Sequence, residues 1–104
     1  MPVTQIDGQT VHVDDEGFLT DYAEWNEELA GAMARLIGLQ LTDEHWKAIR
    51  FAREDFRAKG EAPTLRRLNV AGEIPTKSMF VLFPQKPAKK LAYVAGLPKP
   101  HGCV

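Results

Sequence analysis

The chain has 104 residues, which is long enough for one modest hydrophobic core. Its composition is 44% hydrophobic and 26% charged, as in an ordinary soluble protein, and no apolar run approaches the roughly 20 residues that a membrane-spanning helix needs. The net charge of −1 hides a gradient, because residues 1–34 hold eight acidic and no Lys or Arg side chains, whereas residues 63–104 hold seven basic and one acidic. Such segregation either steers an acidic or anionic partner or reflects two chain ends that face each other in the fold.

The N-terminal segment predicts a small β meander. Val3–Ile6 and Thr10–Val13 alternate in polarity, and the Asp-Gly pair between them favours a tight hairpin turn. A third extended piece is expected around Phe18–Leu19. His12 alternates with two valines and is expected to face solvent.

No signal peptide is visible and a single cysteine cannot form an internal disulfide, so the expected compartment is the cytoplasm.

Two helices are predicted next. The first carries one apolar face and stops at Gly38, and the second begins after the capping residue Thr42 and ends at Gly60. His45, in the first turn of the second helix, is expected to make a structural hydrogen bond. The predicted faces are Trp25, Leu29, Ala32, Met33, Leu36 and Ile37 in the first helix, and Trp46, Ile49, Ala52 and Phe56 in the second.

Four basic residues crowd toward one side of the second helix. They are Lys47, Arg50, Arg53 and Arg57. A solvated helix face is the preferred interpretation. Contact with a nucleic acid or an acidic protein is the alternative, so direct nucleic-acid binding stays open, as does a helix-turn-helix arrangement.

Three short helices should complete the domain. One opens at Pro63 or Thr64 and runs through Leu68, another is capped by Thr76 and stopped by Pro84, and the last runs from Pro87 to Gly96. The fold class is therefore α+β, with a small N-terminal β meander packed on an array of short helices. Residues 1–96 form the domain and residues 97–104 a flexible arm, because two prolines forbid regular structure there.

The only cysteine, Cys103, is the second-to-last residue, and a cysteine this close to a chain end is seldom buried. Gly102 gives the backbone freedom, and the segment 98–100 gives extended reach. Lys99 and His101 are close enough in sequence to favour the thiolate. The pattern predicts a nucleophile on a semi-rigid tether that enters another protein's active site, with an incidental cysteine as the alternative. His101 and Cys103 alone are too few ligands to predict a metal site, and no motif indicates a cofactor.

The sequence resembles the DsrC/TusE family, the gamma subunit of dissimilatory sulfite reductase and its sulfur-relay relatives. The segments "IDGQTVHVDDEGFL", "LQLTDEHWKAIRFAREDF", "APTLRRL" and "LFPQKPAKKLAYVAGLPKPHGCV" resemble successive family segments in order and cover nearly the whole chain. The resemblance implies that Cys103 carries sulfane sulfur as a persulfide. It also implies protein partners, namely a sulfur donor and an acceptor such as a relay protein, a tRNA thiolase or a sulfite reductase.

Two departures from the family pattern bear on function. DsrC proper has a second arm cysteine ten residues upstream of the first, and that position here is Tyr93. Single-cysteine members resemble TusE, a carrier in the relay that makes 2-thiouridine in tRNA. The stretch "NVAGEIPTKSMF" is also shorter than in comparable members. The alternatives are a DsrC-like subunit that docks on a siroheme sulfite reductase and a sulfur-sensing helix-turn-helix regulator.

The arm residues expected to take part in docking are Pro98, Lys99, Pro100, His101 and Gly102. Three further basic residues are candidate partner contacts: Arg66, Lys89 and Lys90. The cations near the thiol should favour the persulfide anion and dock the arm on an acidic or phosphate-lined mouth.

Overall fold

The computed structural model describes residues 3–100 and has the predicted α+β class. In this part of the chain, a two-stranded antiparallel sheet is followed by a 3-10 helix at Tyr22–Glu24 and five α-helices. The strands and helices are β1 (Val3–Ile6), β2 (Gln9–His12), α1 (Glu27–Leu36), α2 (Asp43–Lys59), α3 (Leu65–Val70), α4 (Thr76–Leu82) and α5 (Pro87–Val94).

The β hairpin turns through Asp7 and Gly8, whose φ angles of 52° and 80° are both positive. A two-residue turn of this kind matches the twist of the flanking strands. It places Ile6 opposite Gln9, so β2 begins one residue earlier than predicted and ends at His12. Val13 forms a single bridge to Leu19, and the third extended piece is therefore confirmed as a short pairing.

Helix α1 begins later than the apolar pattern predicts. Asn26 caps it, since its side chain accepts a hydrogen bond from the Leu29 N–H at 2.7 Å, and Trp25 therefore lies before the helix. Leu36 was expected on the buried face, but it is 66% exposed. The apolar spacing identifies the helix but does not locate its first residue, which the capping side chain of Asn26 determines.

Helix α2 has the predicted bounds, with Thr42 before it and Gly60 in the left-handed conformation after it. Its buried face is rotated from the prediction, because Trp46 and Phe56 are half-buried and flank the core. The small alanines let the helix approach its neighbours closely, which leaves the large rings at the edge. The buried residues of this helix are His45, Ala48, Ile49, Ala52 and Asp55.

The structural role expected for His45 is confirmed. Its Nδ1 accepts a hydrogen bond from the Thr42 backbone N–H at 3.1 Å and lies 2.8 Å from the Thr42 hydroxyl oxygen. Its Nε2 lies 2.7 Å from the Leu82 carbonyl oxygen. With the proton on Nε2, the ring donates to the Leu82 carbonyl, and the single lone pair of Nδ1 faces both Thr42 donors, so His45 joins the start of α2 to the end of α4.

The later helices begin at residues close to those predicted. The Thr64 side chain caps α3 by accepting the Arg67 N–H at 3.1 Å, and Pro87 is the first residue of α5. Thr76 does not cap α4 but is its first residue, with Pro75 at the cap position. Proline fits there because the first backbone N–H groups of a helix have no partner within it.

Helix α5 occupies the centre of the domain, where it packs against α1, α2 and α4. Its buried residues are Pro87, Ala88, Leu91, Ala92 and Val94. The chain therefore leaves the hydrophobic core at the C-terminal end of a helix that is held on several sides. No helix within residues 3–100 has both the length and the apolar character to cross a membrane.

Candidate functional site: the root of the C-terminal arm

The arm leaves α5 through a glycine turn. Gly96 has a φ of +71°, and its N–H donates to the Tyr93 carbonyl at 3.3 Å. The next N–H, that of Leu97, donates to the Ala92 carbonyl at 3.0 Å, and the Leu97 side chain is fully buried. This pairing is the usual glycine termination of a helix. It confirms Gly96 as the end of the helical segment and fixes Leu97 in the core.

The last carbonyl groups of α5 are satisfied by side chains from other elements. In a continuing helix, the residue four positions after Val94 would donate its N–H to the Val94 carbonyl. That residue is Pro98, which has no N–H. The Trp25 Nε1–H donates to the Val94 carbonyl instead, at 2.8 Å. Arg53 Nη1 donates to the Ala95 carbonyl at 2.7 Å. The arm root is thus held by Trp25 and Arg53.

Arg53 is itself held between aromatic rings. Its guanidinium carbon lies 3.9 Å from the centroid of the Tyr22 ring and 4.0 Å from that of the Trp25 ring. Tyr22 stacks in turn on Phe56, with centroids 5.4 Å apart and an interplanar angle of 20°. Burial lowers the pKa of Arg53 from its usual value. The layers Phe56, Tyr22, Arg53 and Trp25 therefore form one stack that ends at the arm root.

The solvated basic face predicted for α2 is confirmed for three of its four members. Lys47, Arg50 and Arg57 are exposed. Arg53 is half-buried in the aromatic stack and is the exception. Helical spacing alone could not separate it from its neighbours, because the aromatic partners come from a different part of the chain.

The first arm residues follow the domain surface. Residues 97–100 contain no helix or strand, as predicted for this part of the arm. Pro98 and Lys99 are exposed, whereas Pro100 is buried. Lys99 Nζ lies 2.6 Å from one carboxylate oxygen of Glu16, and Lys89 Nζ donates to the other at 3.2 Å. Hydrogen bonds from Lys99 and then Lys89 lower the pKa of Glu16.

A surface pocket of about 330 Å³ lies beside this contact. Phe18 and Tyr93 meet edge to face in its lining, with ring centroids 5.8 Å apart, and burial raises the pKa of Tyr93. Lys90 Nζ donates to the Pro84 carbonyl at 2.6 Å. The pocket is thus apolar inside and basic at its edge. Its lining residues are Glu16, Phe18, Ile37, Lys86, Lys89, Lys90 and Tyr93.

The structure brings together some of the residues singled out in the sequence. Lys89, Lys90 and Lys99 lie around the pocket and the Glu16 carboxylate. Arg66 is exposed on α3 and is not among the residues that line the pocket. Three further predicted residues lie outside the described part of the chain: His101, Gly102 and Cys103.

Three residues of the site were not predicted for it. The helical spacing predicts only packing for Trp25, and nothing in the sequence links Arg53 or Glu16 to the arm. Pro98 has no N–H to donate to the Val94 carbonyl, but water can satisfy a carbonyl at a helix end, so the sequence does not point to a side-chain donor. The contacts of Glu16 with Lys89 and Lys99 also show that the acidic and basic ends of the chain meet in the fold.

Known proteins resemble this chain over almost its full length. The profile of the family described as "DsrC like protein" matches residues 5–104. "Sulfurtransferase TusE" of Salmonella choleraesuis is 38% identical over 94% of this chain and 96% of its own. The protein of the same name from Escherichia coli K12 is 36% identical over the same shares.

Solved structures show the same fold. The NMR structure of DsrC from Allochromatium vinosum superposes with a TM-score of 0.82 and 39% identity, covering 98% of this chain and 97% of that one. The oxidized gamma-subunit of the dissimilatory sulfite reductase (DsrC) from Archaeoglobus fulgidus gives a TM-score of 0.76 and 39% identity, covering 99% and 100%. With the profile match and the curated relatives, these structures agree on one assignment: the chain belongs to the DsrC-like protein family.

Proposed function

We propose that this chain is a sulfur carrier that accepts sulfane sulfur as a persulfide on Cys103 and delivers it to a partner protein. The names of the sulfurtransferase relatives, at 36–38% identity over nearly the whole chain, support this function. The observation that carries the proposal is the arm. The only thiol of the chain lies three residues beyond Pro100, on a segment that leaves a firmly held helix end.

The loading step is a thiol exchange. The Cys103 thiolate attacks the outer sulfur of a donor persulfide. A new sulfur–sulfur bond forms on Cys103 as the sulfur–sulfur bond of the donor breaks, and the donor leaves as a thiolate that takes up a proton. Delivery is the same exchange in reverse, with an acceptor thiolate as the nucleophile and Cys103 as the leaving group. No net oxidation occurs in either step, so no oxidant or reductant is required.

The structure limits where the arm can pivot. Leu97 is fully buried, so an arm that extends toward a partner must turn at Pro98 or Lys99. Extension also breaks the contact between Lys99 and Glu16 and uncovers Pro100. A polyproline-like chain rises about 3.1 Å per residue, so the six residues from Pro98 to Cys103 would reach about 19 Å. That distance suffices to enter a recessed site while the domain stays folded.

The basic edge of the pocket is the proposed docking surface of the carrier. Lys89 and Lys90 lie in the first half of α5, and Lys99 lies on the arm. A partner whose mouth is acidic or lined with phosphate would attract all three ammonium groups. Arg66, on α3, is proposed as a separate and weaker contact.

Reversing the charge at Lys90 should weaken docking without affecting chemistry. We expect Lys90→Glu to raise the KM for sulfur transfer to a protein acceptor about fivefold at low salt, with kcat retained, because a charge at the edge of an interface acts mainly on association. The measurement is steady-state transfer at two salt concentrations. Lys77→Glu, which makes the same change at an exposed position of α4, is the matched control. Equal effects of the two variants would contradict the assignment of the docking surface.

The proposed destination is a sulfur relay for tRNA thiolation, in the cytoplasm, where a single thiol stays reduced. The absence of a second cysteine favours it, since position 93 holds a half-buried tyrosine and the chain resembles single-cysteine members. The second candidate is a subunit that docks on a siroheme sulfite reductase. The observation on its side is the structural neighbour named as the gamma-subunit of the dissimilatory sulfite reductase.

A two-acceptor experiment tests the function and separates the candidates. The chain is loaded from glutathione persulfide, freed of donor and mixed with either purified tRNA-thiolation relay proteins or purified siroheme sulfite reductase. Sulfur should appear on the relay protein and leave the chain in equal amount. Transfer to the reductase alone would favour the second candidate. Retention of sulfur with both acceptors would contradict a carrier role.

A further inference from the structure

We propose that Trp25 and Arg53 are positioning residues that set the direction in which the C-terminal arm leaves the domain. The functional consequence rests on the proposed carrier role, because direction matters when a thiol has to reach a partner's site.

The hydrogen bonds at the end of α5 divide into two groups. The carbonyls of Leu91, Ala92 and Tyr93 accept N–H groups of the turn itself, from residues 95, 97 and 96 respectively. The carbonyls of Val94 and Ala95 accept only from Trp25 and Arg53 among the described contacts. The change of donor occurs where the helix ends and the arm begins. The orientation of the last two peptide groups is therefore fixed by side chains from outside the helix.

Trp25 also contacts the arm root sterically. A Cβ atom built on Gly96 would lie 2.4 Å from Cδ1 of the Trp25 ring, closer than atoms approach in folded proteins. The indole thus presses on the backbone of Gly96 while its N–H holds the preceding carbonyl. Only glycine leaves room for this approach, and its positive φ is the angle that redirects the chain.

Trp25 and Arg53 together form a clamp on the arm root, and Arg53 makes this clamp rigid. Its guanidinium is sandwiched between the Tyr22 and Trp25 rings, and Nη2 lies 3.5 Å from the Tyr22 carbonyl oxygen. A planar guanidinium that stacks and donates at once has one orientation, which a lysine ammonium would not reproduce. Arg53 therefore couples α2 to the indole and to the Ala95 carbonyl.

The length of the arm amplifies any error at its root. A proline-rich segment is semi-rigid over several residues. A change of about 10° in the direction of the chain at its pivot, Pro98, would displace the tip of an extended arm about 19 Å away by about 3 Å. A misplacement of about 1 Å can cost about a hundredfold in rate when reacting groups must align. Holding the last two peptide groups of the helix is thus a means of aiming the thiol.

The test uses the single cysteine of the chain. A nitroxide attached to Cys103 broadens the amide NMR signals of domain residues near the arm tip, and the pattern reports the direction of the arm. Trp25→Phe keeps a ring but removes the N–H donor. We expect it to change the broadening of the amide signals around Glu16 and Lys89 about twofold. The broadening of amide signals elsewhere in the domain should stay the same. Arg53→Lys should act similarly. The matched controls are Trp46→Phe, whose ring lines a separate hollow beside Leu39 and Leu41, and the exposed Arg50→Lys.

A kinetic readout accompanies the broadening. The rate of loading from glutathione persulfide should stay within about twofold of wild type in every variant, because a small donor does not require an aimed arm. The kcat for transfer to a protein acceptor should fall about tenfold in Trp25→Phe and Arg53→Lys only. A broadening pattern that is the same in wild type and Trp25→Phe would overturn the inference, as would unchanged transfer. Failure of the wild type to load sulfur would contradict the carrier function instead, and the broadening pattern would still decide the positioning role.

Discussion

Replacing Phe83 by alanine should lower the free energy of unfolding by about 3–5 kcal/mol, since a large aromatic side chain would leave a cavity in the core. Phe83 is fully buried, and its ring meets the His45 ring edge to face at a centroid distance of 5.0 Å. The Nε2 of the same histidine lies within hydrogen-bonding distance of the Leu82 carbonyl oxygen, so the cavity would open beside a buried polar contact. Urea denaturation at equilibrium, with the slope checked for two-state behaviour, measures the loss.

Phe80 provides a matched control three positions earlier. It is 44% exposed, so the same truncation removes much less buried surface. Phe80→Ala should change the free energy of unfolding by no more than about 1 kcal/mol. If the two variants were equally destabilised, the assignment of Phe83 to the core and of Phe80 to the surface would be wrong.

The second large effect is expected on sulfur loading. Cys103→Ser should abolish the gain of sulfur from glutathione persulfide, because the chain has no other thiol to form the sulfur–sulfur bond. Intact-mass spectrometry measures the gain. The melting temperature should stay close to that of the wild type, because the substitution exchanges only one atom of a side chain beyond the hydrophobic core formed by residues up to Leu97. Sulfur bound equally by the wild type and the serine variant would refute the assignment of Cys103.

Local signals in the sequence predicted much of the fold. The Asp-Gly pair located the hairpin, and the bounds of α2 followed from Thr42 and Gly60. Pro87 marked the start of α5. Each of these signals acts through a few adjacent backbone groups, so no tertiary contact is needed to interpret it.

Signals that depend on tertiary contacts were harder to interpret. Leu36 matches the apolar spacing of α1, yet it is exposed, because spacing does not show where the neighbouring elements end. Trp46 was expected in the core stripe of α2 but lies at its flank. In both cases the packing of neighbouring helices decides which part of an apolar face is covered.

The candidate site divides in the same way. The arm, its cysteine and Lys89 and Lys90 were identified from the sequence, since prolines, a lone thiol and a cluster of cations are visible without a fold. The clamp was not, because Trp25 and Arg53 are 69 and 42 positions away from the carbonyls that they hold. The sequence shows that Pro98 has no N–H for the Val94 carbonyl, but it does not show that a side chain supplies the donor.

The most direct test of the carrier function locates a transferred sulfur atom on the chain. The wild-type chain is incubated with glutathione persulfide and freed of donor, and tryptic peptides are analysed before and after a protein acceptor is added. We expect a gain of about 32 Da, one sulfur atom, on Cys103 in the peptide that follows Lys90. That gain should be lost as sulfur appears on the acceptor. A chain that takes up no sulfur, or that keeps it in the presence of every acceptor, would contradict the carrier function.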